Sequence, residues 1–101
     1  MYIQENDDKY VFSPKIEEKL SGRSISKREI DQCFANRTGK FLIDEREEHK
    51  THPPSNWFIS ETNKGRVLKI VFIVKDEKVH IKTAFEPSDR AKNVYDKLAY
   101  K

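Results

Sequence analysis

An α+β fold, with two N-terminal helices, a four-stranded antiparallel meander sheet and a C-terminal helix, is the architecture this 101-residue sequence predicts. Three observations predict it. Two capped helix starts come before residue 37, four runs of strand character joined by short turns lie between residues 41 and 86, and a capped stripe at helical spacing closes the chain.

The first helix opens at Ser13-Pro14, a cap followed by proline in the first turn, and Ile16 and Leu20 then fall four apart on one face. It runs from about residue 14 to 21, and Gly22 is placed to stop it. The second start is a capping box, Ser26-Lys27-Arg28-Glu29, in which Ile25 before the cap can staple onto Ile30. Ile30, Cys33 and Phe34 form its i, i+3, i+4 stripe, and Gly39 is the expected left-handed residue beyond its end. Cys33 on that stripe reads as a core thiol, not a nucleophile.

From Lys40 the period changes. Phe41-Leu42-Ile43 opens a strand that continues into the charged span Asp44 to Lys50 and ends at Pro53-Pro54. Trp57 to Thr62 is a second strand, Asn63-Lys64-Gly65 a tight turn, and Arg66 to Lys75 a third strand, apolar on both faces apart from Lys69 and therefore central. Asp76-Glu77 turns the chain into Val79 to Phe85, where alternation is clean. Ser88 then caps a last helix whose Ala91, Val94, Tyr95, Leu98 and Ala99 share a stripe.

One domain accounts for residues 1–101, with residues 1–9 a loose N-terminal end. Composition is 36% hydrophobic and 37% charged, so each element can bury only one face, which favours a thin layered fold. The net charge of +3 is uneven: residues 1–50 carry −1 and residues 51–101 carry +4. A basic C-terminal half is compatible with phosphate binding. A single cysteine, no apolar run of about 18 residues and no signal-like N-terminus predict a cytoplasmic protein without a membrane span.

Turn chemistry sets an expected register. With Lys75 opposite Lys78, Phe72 pairs with Ile81, Ile70 with Thr83 and Leu68 with Phe85 on the helix-covered face. Phe58 joins Ile70 there. The other face then carries Trp57, Lys69, Lys82, His80, Glu61 and Glu86 over Ile59, Val71 and Ile73. Lys69, in the middle of a central strand, either reaches solvent along its stem or meets an anion.

Catalytic classes narrow by what is missing. His49 and His52, three apart and followed by two prolines, lack the spacing of a metal pair, so neither metal nor cofactor is expected. No G-x-S-x-G elbow and no glycine-rich phosphate loop occurs. RNA cleavage without metal needs only a base, an acid and cations, because the 2′-hydroxyl is the nucleophile. His49, His80, Glu47 and Glu48 are the acid/base candidates, Arg46, Lys69 and Lys82 the phosphate clamps, Trp57 the stacking platform, and His80 and Arg66 further substrate contacts. The same charged strand also reads as an edge kept soluble by its charge.

The helix "ISKREIDQCFAN", the strand "FLIDEREEH", the hairpin "WFISETNKGRVLKIVFIVKDEKVHIKTAFEP" and the closing helix "SDRAKNVYDKLAY" resemble the small RelE-superfamily toxins of bacterial toxin–antitoxin pairs, most closely the BrnT-like branch. The resemblance spans residues 13 to 100 and implies a ribonuclease that acts on mRNA, free or ribosome-bound, and halts translation. It also implies a cognate antitoxin protein that masks the site in a hetero-oligomer. By position, Arg46, Glu48, His49, Lys69 and Lys82 would be the catalytic set. Where BrnT-like chains tend to place an arginine after the last strand, this chain has Glu86. The alternative function is a non-enzymatic protein- or RNA-binding module on the same basic sheet face.

Overall fold

The structure is a computed structural model that describes residues 9–44 and 53–101. Its elements are β1 (Tyr10–Val11), α1 (Pro14–Gly22), α2 (Lys27–Asn36), β2 (Leu42–Ile43), β3 (Asn56–Glu61), β4 (Val67–Lys75), β5 (Lys78–Phe85) and α3 (Asp89–Ala99). Among the described residues the fold is α+β, three helices against a mixed five-stranded sheet in the order β1-β5-β4-β3-β2.

The helix starts follow from their caps. Ser13 Oγ accepts from the Ile16 amide, Ser88 Oγ accepts from the Ala91 amide, and the Ser26–Glu29 capping box is closed in both directions. Ile25 and Ile30 are both buried, which seats the entry to α2. Helix ends behave differently from the sequence expectation. Helix α1 ends with Gly22 as its last residue, one beyond the expected end, and the chain reverses through Ser24 at φ 56°. Helix α2 stops at Arg37 without a left-handed glycine. Gly39 serves close approach instead: a Cβ there would sit 2.7 Å from Tyr95 Oη and 2.8 Å from Ala99 Cβ.

Two corrections concern the sheet. Tyr10 and Val11, which belong to no element expected from the sequence, form β1, which pairs parallel to β5 with Tyr10 opposite Val79 and Val11 opposite His80. The Tyr10 ring lies 5.2 Å from Phe34 of α2, and burial there, reinforced by the Asp31 carboxylate, raises the pKa of its phenol. Among the described residues the sheet is thus five-stranded and mixed. Of the first expected strand, Leu42 and Ile43 pair with Trp57 and Asn56; its continuation, with Arg46, Glu48 and His49, lies outside the described residues.

The third correction is a β-bulge. Pairing runs as expected from Lys75↔Lys78 to Phe72↔Ile81, but Val71 then faces Thr83, Ile70 faces Ala84 and Lys69 faces Phe85. Lys82 is the extra residue with no partner across the ladder, and every pair beyond it shifts by one. Ala84 therefore enters the core, fully buried, and Thr83 and Phe85, expected on the core face, pass to the other side. The Asn63-Lys64-Gly65 turn forms as expected, with Gly65 at φ 84° and the Thr62 amide donating to the Arg66 carbonyl.

Helices α1 and α2 cover one face. Ile16, Leu20, Ile30 and Cys33 pack with Phe58, Leu68, Ile70, Phe72 and Ile81, and the Phe34 ring lies 4.7 Å from Phe58 and 5.3 Å from Phe72. Helix α3 packs on the opposite face along β3, where the Tyr95 ring meets Trp57 at 5.6 Å. Of its apolar stripe only Tyr95 and Ala99 are buried; Val94 and Leu98 stay 41% and 43% exposed. Among the described residues no helix is long and apolar enough to cross a membrane.

Candidate functional site

Strand alternation builds the site on the sheet face that α1 and α2 leave uncovered. Between the buried Leu68, Ile70 and Phe72, β4 presents Val67, Lys69, Val71 and Ile73 to that face, all half-buried. Cross-strand pairing brings Ile59 and Phe85 to the flanks of Lys69, Trp57 and Thr83 to the flanks of Val71, and His80 beside Ile73.

Lys69 occupies the middle of this face. Its Nζ stands 4.3 Å from the Trp57 ring and 5.8 Å from the Phe85 ring, one aromatic from each neighbouring strand. Each ring quadrupole attracts the ammonium by about 0.5–2 kcal/mol, depending on how far water is excluded. This arrangement holds a cation on a central strand while both ring systems remain half-exposed.

Arg23, which sequence reasoning missed, extends the basic surface. It follows α1, and its Nη1 donates to Thr83 Oγ1 at 3.1 Å and to the Ala84 carbonyl at 3.0 Å; its guanidinium carbon is 5.8 Å from the Phe85 ring. Nothing local in the sequence marks this contact, because it depends on the register shift at Lys82. Lys82 is exposed, and since Ile81 and Ala84 both enter the core, it and Thr83 are turned away from the core together. His80 sits opposite Ile73, four residues along β4 from Lys69, or about 13 Å at the rise of a strand.

Arg66 is committed elsewhere. Its Nε donates to Glu86 at 2.8 Å, its Nη1 to the Ser24 carbonyl at 2.7 Å and to Glu29 at 3.3 Å, and its Nη2 to the Arg23 carbonyl at 3.0 Å. These bonds tie the α1–α2 turn to the start of β4, so the arginine expected to contact substrate is a structural clamp. Glu86, the acid standing where a base was expected, is its partner. Cys33 is fully buried, and burial, reinforced by Glu29, pushes its thiol up to about 12, which removes it from nucleophilic chemistry near neutral pH.

The face thus gathers Trp57, Lys69, Phe85, Thr83 and Arg23 tightly, with Lys82 and His80 further along β5. Arg46, Glu48 and His49 lie outside the described residues. Among the described residues no group of three His, Cys, Asp or Glu side chains is placed to hold a metal ion. Such a surface can stack bases and neutralise phosphate; of the acid/base candidates, the described residues place His80 on it. Comparison with protein-family models, curated proteins and solved structures returned no match.

Proposed function

We propose that this chain is a toxin-like endoribonuclease of a bacterial toxin–antitoxin pair, similar to the BrnT-like branch of the RelE superfamily, that cleaves mRNA in the cytoplasm and is masked by its antitoxin. The observation that carries the reading is the Lys69 ammonium held between Trp57 and Phe85 on the open sheet face. An RNA strand laid there stacks bases on the two rings and brings a phosphate to Lys69, with Arg23 and Lys82 nearby.

The reaction follows from the substrate's own chemistry. A base on the charged span takes the proton of the 2′-hydroxyl, and the 2′-oxygen attacks phosphorus. The P–O5′ bond breaks, and a protonated group delivers a proton to the leaving 5′-oxygen. A 2′,3′-cyclic phosphate and a free 5′-hydroxyl result. We assign proton transfer to His49 and Glu48, and charge neutralisation on the phosphate to Arg46, Lys69 and Lys82.

A second reading is favoured by the make-up of the face itself, which supplies stacking and charge but places His80 about 13 Å along the strand from Lys69. In that reading the chain binds RNA or a protein without turning it over. Incubation of the purified protein with a single-stranded RNA separates the two. Cyclic-phosphate ends that vanish in Lys69→Ala and His49→Ala, with circular dichroism unchanged, support the nuclease. Bound but intact RNA, together with unaffected growth on induction, sinks it.

A further inference from the structure

Across the open face, rings and cations alternate. Trp57 on β3, Lys69 on β4, Phe85 on β5 and Arg23, beside the part of β5 that β1 does not reach, follow one another as ring, cation, ring, cation. Lys69 Nζ is 4.3 Å from the Trp57 ring and 5.8 Å from the Phe85 ring, and the Arg23 guanidinium carbon is 5.8 Å from the Phe85 ring. The two charges are therefore at most twice that last distance apart, a span that neighbouring phosphates of a single strand can bridge.

Arg23 is held in place and left open on one side. Its Nη1 donates to Thr83 Oγ1 at 3.1 Å and to the Ala84 carbonyl at 3.0 Å, which uses both hydrogens of that nitrogen. The Nε–Nη2 edge, a fork that fits two oxygens of one phosphate, makes no hydrogen bond among the described residues. Nor does Arg23 make an ion pair among them, in contrast to Arg66, whose charge meets Glu29 and Glu86. The peptide that carries Arg23 is fixed as well. Arg66 donates to the Arg23 and Ser24 carbonyls at 3.0 and 2.7 Å, and Ser24 stands at φ 56°, a left-handed conformation disfavoured for a residue with a Cβ. Such anchoring lowers the entropy cost of taking an oxyanion on the open edge.

A carboxylate on a protein partner would satisfy Arg23 and leave the rings unused. A single strand of nucleic acid, in which base and phosphate alternate, uses the whole row. Helix α3 bounds that row at Trp57, where the Tyr95 ring is 5.6 Å away. We infer that single-stranded RNA crosses β3, β4 and β5 transversely, from Trp57 to Arg23, with one phosphate on Lys69 and the next on the open fork of Arg23. Resting on the reading of this face as an RNA surface, the crossing adds to it a direction and a second phosphate subsite. It leaves His80, about 13 Å along the strands from Lys69, outside the path.

The test is binding of a short 2′-O-methyl oligouridylate, which lacks the nucleophilic hydroxyl and stays intact, to the full chain over a range of salt. Arg23→Gln should weaken binding about tenfold and make the log–log salt slope shallower by about 0.7–1, with the melting temperature nearly kept. Lys69→Met should flatten the slope by the same amount, and the double variant by about twice as much, because each cation holds its own phosphate. In ¹⁵N spectra of the natural chain, the Trp57 indole and Arg23 Nε–H resonances should move together while the His80 ring stays. Should Arg23→Gln melt well below the natural chain, those resonances decide alone. An unchanged slope in Arg23→Gln, no further flattening in the double variant, or His80 moving while Arg23 does not would each overturn the crossing and leave Lys69-dependent RNA binding standing. Absence of binding by the natural chain would overturn the crossing together with the reading it rests on.

Discussion

The two faces of β4 belong to one strand and obey different rules. Leu68, Ile70 and Phe72 are at most 2% exposed and meet α1 and α2, whereas Lys69, Val71 and Ile73, one residue out of phase, are half-buried and meet Trp57, Thr83, Phe85 and His80. On the first face volume decides everything, since a close-packed interior registers the loss of a single methylene. On the second face a lysine is accommodated between two rings. The difference teaches where this chain can change without unfolding, and that region coincides with the surface proposed to hold RNA.

The comparison is broken most strongly from the core side. Phe58→Ala removes a fully buried ring from the Phe34–Phe72 cluster and should destabilise by about 3–5 kcal/mol in denaturant unfolding. That is a large share of the roughly 5–15 kcal/mol available to a domain. A loss below about 1 kcal/mol would show that this face is not the core.

Alkaline titration probes burial on both sides of the sheet. Burial raises the Cys33 thiol from 9.0 to about 12 and holds the Tyr10 phenol above its ordinary 10.0, as it does Tyr95. The folded chain therefore keeps protons that the unfolded chain releases, and stability must fall as pH rises beyond about 9. Urea midpoints measured from pH 8 to 11 should decline. A flat profile would mean that these groups are not buried in solution.

Changes on the open face should be smaller in stability and larger in binding. Lys69→Met keeps the stem and removes the charge, so unfolding should shift by no more than about 1–2 kcal/mol. Affinity for single-stranded RNA should drop, and the log–log salt slope should become shallower by about one. An unchanged slope would remove Lys69 from the phosphate path.

The smallest expected effect sharpens the bulge. Deleting Lys82 leaves Ile81 opposite Phe72 and Thr83 opposite Val71, which restores regular alternation, so melting should move by the equivalent of about 1 kcal/mol or less. Deleting Thr83 takes away the Arg23 contact and leaves a lysine opposite Val71. If the Lys82 deletion unfolded the chain, the extra residue would be carrying stability and not only directing side chains.

Much of this architecture was legible because local chemistry decides it. Ser13, Ser26 with Glu29, and Ser88 cap where their side chains can reach an amide within one turn. The Asn63–Gly65 and Asp76–Glu77 turns set the register of both hairpins as far as Phe72–Ile81. The open-face placement of Trp57 and Lys69 followed from that register. Phe85 did not, because no glycine or proline marks the bulge at Lys82. Strand β1 was missed since two residues carry no period. Arg66 was read as a substrate contact because its partners, Glu29, Glu86 and the Ser24 carbonyl, come from three distant parts of the chain.

By itself, then, the sequence determined the helices, the hairpins and which residue of β4 is the odd cation out, all of which depend on neighbours within a few positions. Only the tertiary structure decided that Phe85 and Arg23 join Lys69 and that Arg66 becomes a clamp. The physical reason is the same in each case. A one-residue slip in pairing sends a side chain to the opposite face, and which slip occurs is settled by how well distant surfaces pack, a quantity no local pattern contains.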